Sequence, residues 1–260
     1  MEKLYLFLGL ILGAFGTWLT ISFFYRRKNT GFGDLNLSET DEFIESSIKA
    51  ESVLIKTSED SSNAIIMISK AYYLGISGFH SENSKLLGEI ETEVEEFNQR
   101  AKLLKANTYR VIQKLQQDSI ETGHYYVQIV DYLREMAHSI KYVVRPLHEH
   151  LNNNHKPFAE DQNLDLVEFS TQVTDFLNFA LHIIKESRFG QLEELIQKRQ
   201  SILVLMREHE KKQIRRIKRK ETNSRNSVLY FGLMSETKHL LLQTVNLLKA
   251  TRDFVSYTKS

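Results

Sequence analysis

The 260-residue sequence contains no cysteine. This excludes disulfide scaffolds, thiolate zinc sites, iron–sulfur clusters and cysteine nucleophiles together. Proline occurs only twice, at Pro146 and Pro157, where average usage of about 5% would give roughly a dozen. Such scarcity suits long uninterrupted helices. An excess of either charge is missing too: 34 Lys+Arg against 33 Asp+Glu leave +1. A polyanion needs a marked basic excess on one face, so a generic nucleic-acid binder is disfavoured. No GxGxxG, Walker, GxSxG or HExxH segment is present. The corresponding nucleotide-dependent, hydrolase and metalloprotease chemistries have no carrier, and the chain reads as a non-enzyme.

What is there begins with a stretch free of charge, residues 4–24. At about 1.5 Å per residue it matches the roughly 30 Å hydrocarbon core and reads as a transmembrane helix. Lys3 is the one basic residue before it, whereas Arg26, Arg27 and Lys28 follow at once. The positive-inside rule then places the N-terminus outside and the rest of the chain in the cytosol. Tyr5, Trp18, Phe23, Phe24 and Tyr25 supply interfacial aromatics, and Gly9, Gly13 and Gly16 form a small-residue face against which another membrane helix can pack. The lone-anchor reading of those glycines stays open.

The remainder is helical by its spacing. After a polar linker, residues 29–37, Ser38 with Asp41 has the form of a capping box. Apolar residues at 43–55 and 64–76 flank a polar segment, 57–63, which fits either one helix with a solvated middle or two shorter helices. Leu87, Ile90, Val94, Phe97, Ala101, Leu104, Thr108, Val111 and Leu115 then alternate by 3 and 4, a heptad seam that must lie against other helices. A second stripe runs Ile129, Leu133, Met136, Ile140, Val143, Leu147, and Pro146 with the run 152–157 ends it. Helices over 164–185, 191–220 and 226–257 follow. A shift of 105 residues places Leu87 on Leu192, Ile90 on Leu195, Phe97 on Ile202, Ile112 on Ile217, Tyr125 on Tyr230 and Asp131 on Glu236. The expected organisation is all-α: a transmembrane segment 1–28, a linker 29–37, a three-helix unit 38–152, a linker 153–163 and a second three-helix unit 164–257. Glu89, Glu91, Glu93, Glu95 and Glu96 form an acidic run, and eight basic residues lie between Arg207 and Lys220. Both read as solvated helix faces, the basic one being an alternative contact for anionic lipid headgroups or an acidic partner.

Three Glu-x-x-His pairs occur: Glu121 with His124, Glu135 with His138, and Glu236 with His239. The i, i+3 spacing puts both side chains on one helix face, as in di-iron carboxylate bundles. Here, however, Glu121, His124, Gln128, Asp131, Glu135 and His138 run almost opposite the apolar stripe, and the plain reading is a solvent-exposed polar face. On that face Asp131 and Glu135, with His138 one turn on, offer hard oxygen ligands and an imidazole to one divalent or ferric ion. Glu236 and His239 are the weaker counterpart.

The segment 116–127, QQDSIETGHYYV, with Asp131-Tyr132-Leu133-Arg134-Glu135-Met136-Ala137-His138, resembles the cytosolic C-terminal region of bacterial Pit (PHO4) family inorganic phosphate transporters. So do KQIRRI at 212–217, Arg225-Asn226-Ser227 and Ser235-Glu236-Thr237-Lys238. That region is similar in turn to the PhoU family and the Pit accessory proteins. The resemblance implies a PhoU-like tandem of two three-helix bundles and a role in phosphate uptake or its regulation, at a bacterial inner membrane. It also implies metal binding at acidic i, i+4 pairs on exposed helix faces, which Asp131 and Glu135 match and Glu236, followed by Leu240, does not. One span cannot form a transport path, so the implied partner is a multi-span permease met through Gly9, Gly13 and Gly16; a homo-oligomer is also compatible. The alternatives are a single-pass signalling or scaffold protein with an unrelated partner, and a metal-dependent helical-bundle enzyme.

Overall fold

The computed structural model describes residues 49–115 and 120–259. The predicted span 4–24, its glycine face and the linker 29–37 lie outside the described residues. Among the described residues no helix is long and apolar enough to cross a membrane.

Among the described residues, apolar spacing closes into seven α-helices: α1 (Ala50–His80), α2 (Ser84–Ala106), α3 (Thr108–Lys114), α4 (Ile120–Asn152), α5 (Glu160–Lys185), α6 (Leu192–Lys218) and α7 (Ser224–Thr258). They belong to one compact unit. Here α4 packs against α1, α2 and most extensively α7, while α1 also packs against α5. Gly75 permits the close approach of α1 to α4, since a Cβ there would stand 3.3 Å from Val144 Cγ2. Most positions matched by the 105-residue shift share their burial, although Tyr125 is half-buried where Tyr230 is fully buried. Leu87 with Leu192, Ile90 with Leu195 and Phe97 with Ile202 are all buried, whereas Ile112 and Ile217 are both exposed.

The polar middle of the first helix is not solvated. A single α1 runs through it, with Thr57, Ser61 and Ser62 buried. Their hydroxyls donate to carbonyls one turn back, Thr57 Oγ1 to Val53 O at 2.8 Å, Ser61 Oγ to Thr57 O at 2.6 Å and Ser62 Oγ to Ser58 O at 2.9 Å. Short hydroxyl side chains can be buried once the helix itself satisfies them.

The heptad seam is buried from Leu87 to Ala101, but its helix stops at Asn107, which C-caps α2 and precedes the seven-residue α3. Leu104 and Thr108 are only half-buried there, so less burial opposes the break.

Pro146 does not end its helix. α4 continues to Asn152 with Leu147 and His150 buried, so packing outweighs the missing N–H, whose acceptor four residues back belongs to the exposed Tyr142. The helix reverses instead at residues 153–159. This connection is fastened by Phe158, buried edge-on to Phe79 at 5.0 Å and near His150, whose Nε2 faces Lys156 O at 3.0 Å. α5 starts at Glu160, within the stretch expected as linker, because the Gln162 side chain accepts from the Ala159 N–H at 3.1 Å and begins the helix four residues early.

The reversals after α1, α4, α5 and α6 share one device: Glu82, Asn154, Ser187 and Lys220 adopt φ between 51° and 58°. In each, the next residue's N–H reaches back five residues to a helix carbonyl, as from Glu221 N to Arg216 O at 2.9 Å. These are Schellman closures built without glycine.

The acidic run is not a free face either. Alternate carboxylates reach neighbouring helices: Glu93 meets Lys70 at 2.6 Å, Glu95 meets Lys141 at 2.7 Å and Glu91 meets His148 at 2.5 Å. Three of the five carboxylates are thus held by side chains from α1 and α4, while Glu89 and Glu96 stay exposed.

Candidate functional site

The apolar stripe of α6, Leu195, Ile202 and Met206, continues in the same 4,3 spacing through His209, Gln213 and Arg216. These polar residues therefore inherit buried positions, with His209 and Gln213 at zero exposure. Facing them from α5 are Gln162 and Asp165, also buried, on the turn before Phe169. A reading that follows apolar residues alone ends the stripe at Met206; the signal for this cluster is polar residues that keep the core period.

Asp165 is the hub. Its Oδ2 accepts from Arg216 Nη2 at 2.6 Å and its Oδ1 from Lys212 Nζ at 2.8 Å. Arg216 also donates from Nε to Asp161 Oδ2 at 2.5 Å and from Nη1 to Gln213 Oε1 at 3.3 Å. Gln162 Nε2 donates to Gln213 Oε1 at 2.9 Å, and Gln213 Nε2 to Ser227 Oγ at 3.2 Å, which ties α5 and α6 to α7. Burial alone would push the Asp165 carboxyl up, but hydrogen bonds from Lys212 and Arg216, with the Arg216 charge, hold it below the usual carboxylate range. The buried Tyr230 hydroxyl faces this pair and is pushed up, by burial first and by the Asp165 charge second. The lower half of α6 is therefore a charge lock, and of the basic residues expected on a solvated face Arg216 is buried in it while Lys212 reaches Asp165 from an exposed position.

His209 stands apart. Its Nδ1 lies 3.1 Å from Asp165 Oδ1 and its Nε2 lies 3.6 Å from Glu168 Oε2, yet neither nitrogen makes a well-formed hydrogen bond. Asp165, Glu168 and His209 bring one ligand atom each within 4.8 Å of one another, and among the described residues they are the group so arranged for a metal ion.

The residues singled out from the sequence are placed otherwise. Asp131 is half-exposed and pairs with Lys105 Nζ at 2.9 Å across the α2–α4 groove. Glu135, one turn on, is half-exposed, and His138 packs against Tyr142 with ring centroids 4.4 Å apart and planes tilted by 45°. The three share a face of α4 without meeting the three-ligand spacing that Asp165, Glu168 and His209 meet. Glu236 is half-buried on α7. His239 is engaged in the α4–α7 interface, with Nδ1 at 2.9 Å from Ser139 Oγ and Nε2 at 2.9 Å from Gln243 Nε2. Gly9, Gly13 and Gly16 lie outside the described residues.

No protein-family model and no curated protein matches the chain. Among solved structures, the crystal structure of the phosphate transport system regulatory protein PhoU from Streptococcus pneumoniae superposes with a TM-score of 0.64 at 12% identity. The match covers 80% of this chain and 97% of that one. The fold is therefore PhoU-like.

Proposed function

We propose that this chain is a membrane-tethered, PhoU-like regulatory domain that acts on an inorganic phosphate permease. The observation that carries the reading is the match of an all-helical body to nearly the whole of a phosphate transport regulatory protein. It coincides with the sequence resemblance of residues 116–138 to the cytosolic region of Pit-type transporters. The hydrophobic span 4–24, followed by Arg26, Arg27 and Lys28, supports tethering with the bundle on the cytosolic side. Gly9, Gly13 and Gly16 suit contact with permease helices in the bilayer. The bundle would act through helix contacts.

Affinity purification of the full chain from detergent-solubilised membranes tests the partner. A multi-span phosphate permease recovered in stoichiometric amount is the expected result. Recovery of a different membrane protein in its place would favour the signalling or scaffold reading.

A further inference from the structure

His209 presents a mismatch that hydrogen bonding within the chain does not resolve. A neutral imidazole carries one N–H and one lone pair, yet both of its nitrogens face carboxylate oxygens, at 3.1 Å and 3.6 Å. Whichever tautomer forms, a buried lone pair opposes a carboxylate. A cation in that gap removes the conflict.

We propose that Asp165, Glu168 and His209 bind one first-row divalent metal ion, zinc being the best chemical match. One imidazole nitrogen and two carboxylate oxygens form a mixed N/O donor set that zinc accepts, with water completing a tetrahedron. Bond lengths near 2.0–2.2 Å place neighbouring ligand atoms about 3.4 Å apart, so the present spread of up to 4.8 Å needs a small contraction. Glu168 supplies it, since its side chain is 59% exposed and free to swing in, which also leaves a route for the ion. Arg216 occupies Asp165 Oδ2, whereas Oδ1, which faces the imidazole, is held only by Lys212, whose side chain is 45% exposed and can turn to solvent. Metal and the Lys212 ammonium thus compete for one oxygen. The site lies between α5 and α6, separate from Asp131 and Glu135 on α4, and needs no transporter to form.

Calorimetric titration of the untagged, metal-stripped full chain with zinc tests this, with cobalt as a spectroscopic probe of coordination. The expected result is one ion per site. Glu168→Gln, at an exposed position that does not threaten folding, weakens binding at least 10-fold; Lys212→Met tightens it several-fold; Glu135→Gln leaves this isotherm unchanged. Cobalt should give the intense visible bands of a four-coordinate site, lost in Glu168→Gln. The proposal is overturned if zinc does not bind at micromolar concentration, if Glu168→Gln binds as wild type, or if Glu135→Gln abolishes the same isotherm.

Discussion

Asp60 should make this protein less stable as pH rises towards neutrality. Its side chain is 8% exposed on α1, with Lys56 Nζ at 3.4 Å, and the neighbouring Thr57 and Ser61 hydroxyls donate to backbone carbonyls rather than to the carboxylate. Burial raises its pKa from the ordinary 3.8 to about 6, against the lowering influence of Lys56. The same carboxylate pushes the buried Tyr126 hydroxyl up, after burial itself. The folded state therefore holds the proton more tightly than the unfolded chain. The stability this contributes is complete below the unfolded value near 3.8 and is lost as pH rises through about 6. At 1.36 kcal/mol per pH unit the ionised form costs roughly 3 kcal/mol. Asp60→Asn keeps the volume and removes the charge. Urea unfolding should show the variant more stable than wild type by up to about 3 kcal/mol at pH 8 and equal to it at pH 4. Parallel pH profiles, or a variant destabilised at pH 8, would refute the reasoning and make the Lys56 pair a net gain.

Three further outcomes follow from the packing. Arg216→Met leaves Asp165 buried without its guanidinium and should cost about 3–5 kcal/mol at pH 7 in urea unfolding. Because the Asp165 pKa is lowered, that stability is present above the unfolded value and disappears as pH falls through the folded one, so wild type and variant should converge in acid. Lys220→Gly relieves a left-handed residue at φ 58° and should stabilise by about 0.5–1 kcal/mol after the added flexibility of the unfolded chain, read as a rise in Tm. Phe158→Ala unfastens the 153–159 connection and should cost about 3 kcal/mol, with faster amide exchange at the C-terminal end of α4 than elsewhere in the bundle.

The helices were legible because their buried stripes are long. Leu87 to Ala101 and Ile129 to Leu147 have no other way to bury themselves. What was hidden is whatever packing decides against local signals. Pro146 reads as a terminator until Leu147 and His150 are seen buried beyond it. The four helix ends carry Glu, Asn, Ser and Lys where glycine would have announced a turn. The acidic α2 run looks solvated because its partners, Lys70, Lys141 and His148, are distant in sequence. Of the candidate ligands, Asp131, Glu135 and His138 were visible by their spacing on one polar face. Asp165, Glu168 and His209 were not, since His209 lies more than 40 positions along the chain from both carboxylates and two helices must pack before they meet.

Phosphate uptake by cells that keep the permease but produce the chain without residues 38–260 tests the central claim most directly. The account predicts altered initial rates or a lost response to external phosphate, restored by the full chain. Uptake with unchanged kinetics and unchanged regulation would contradict it.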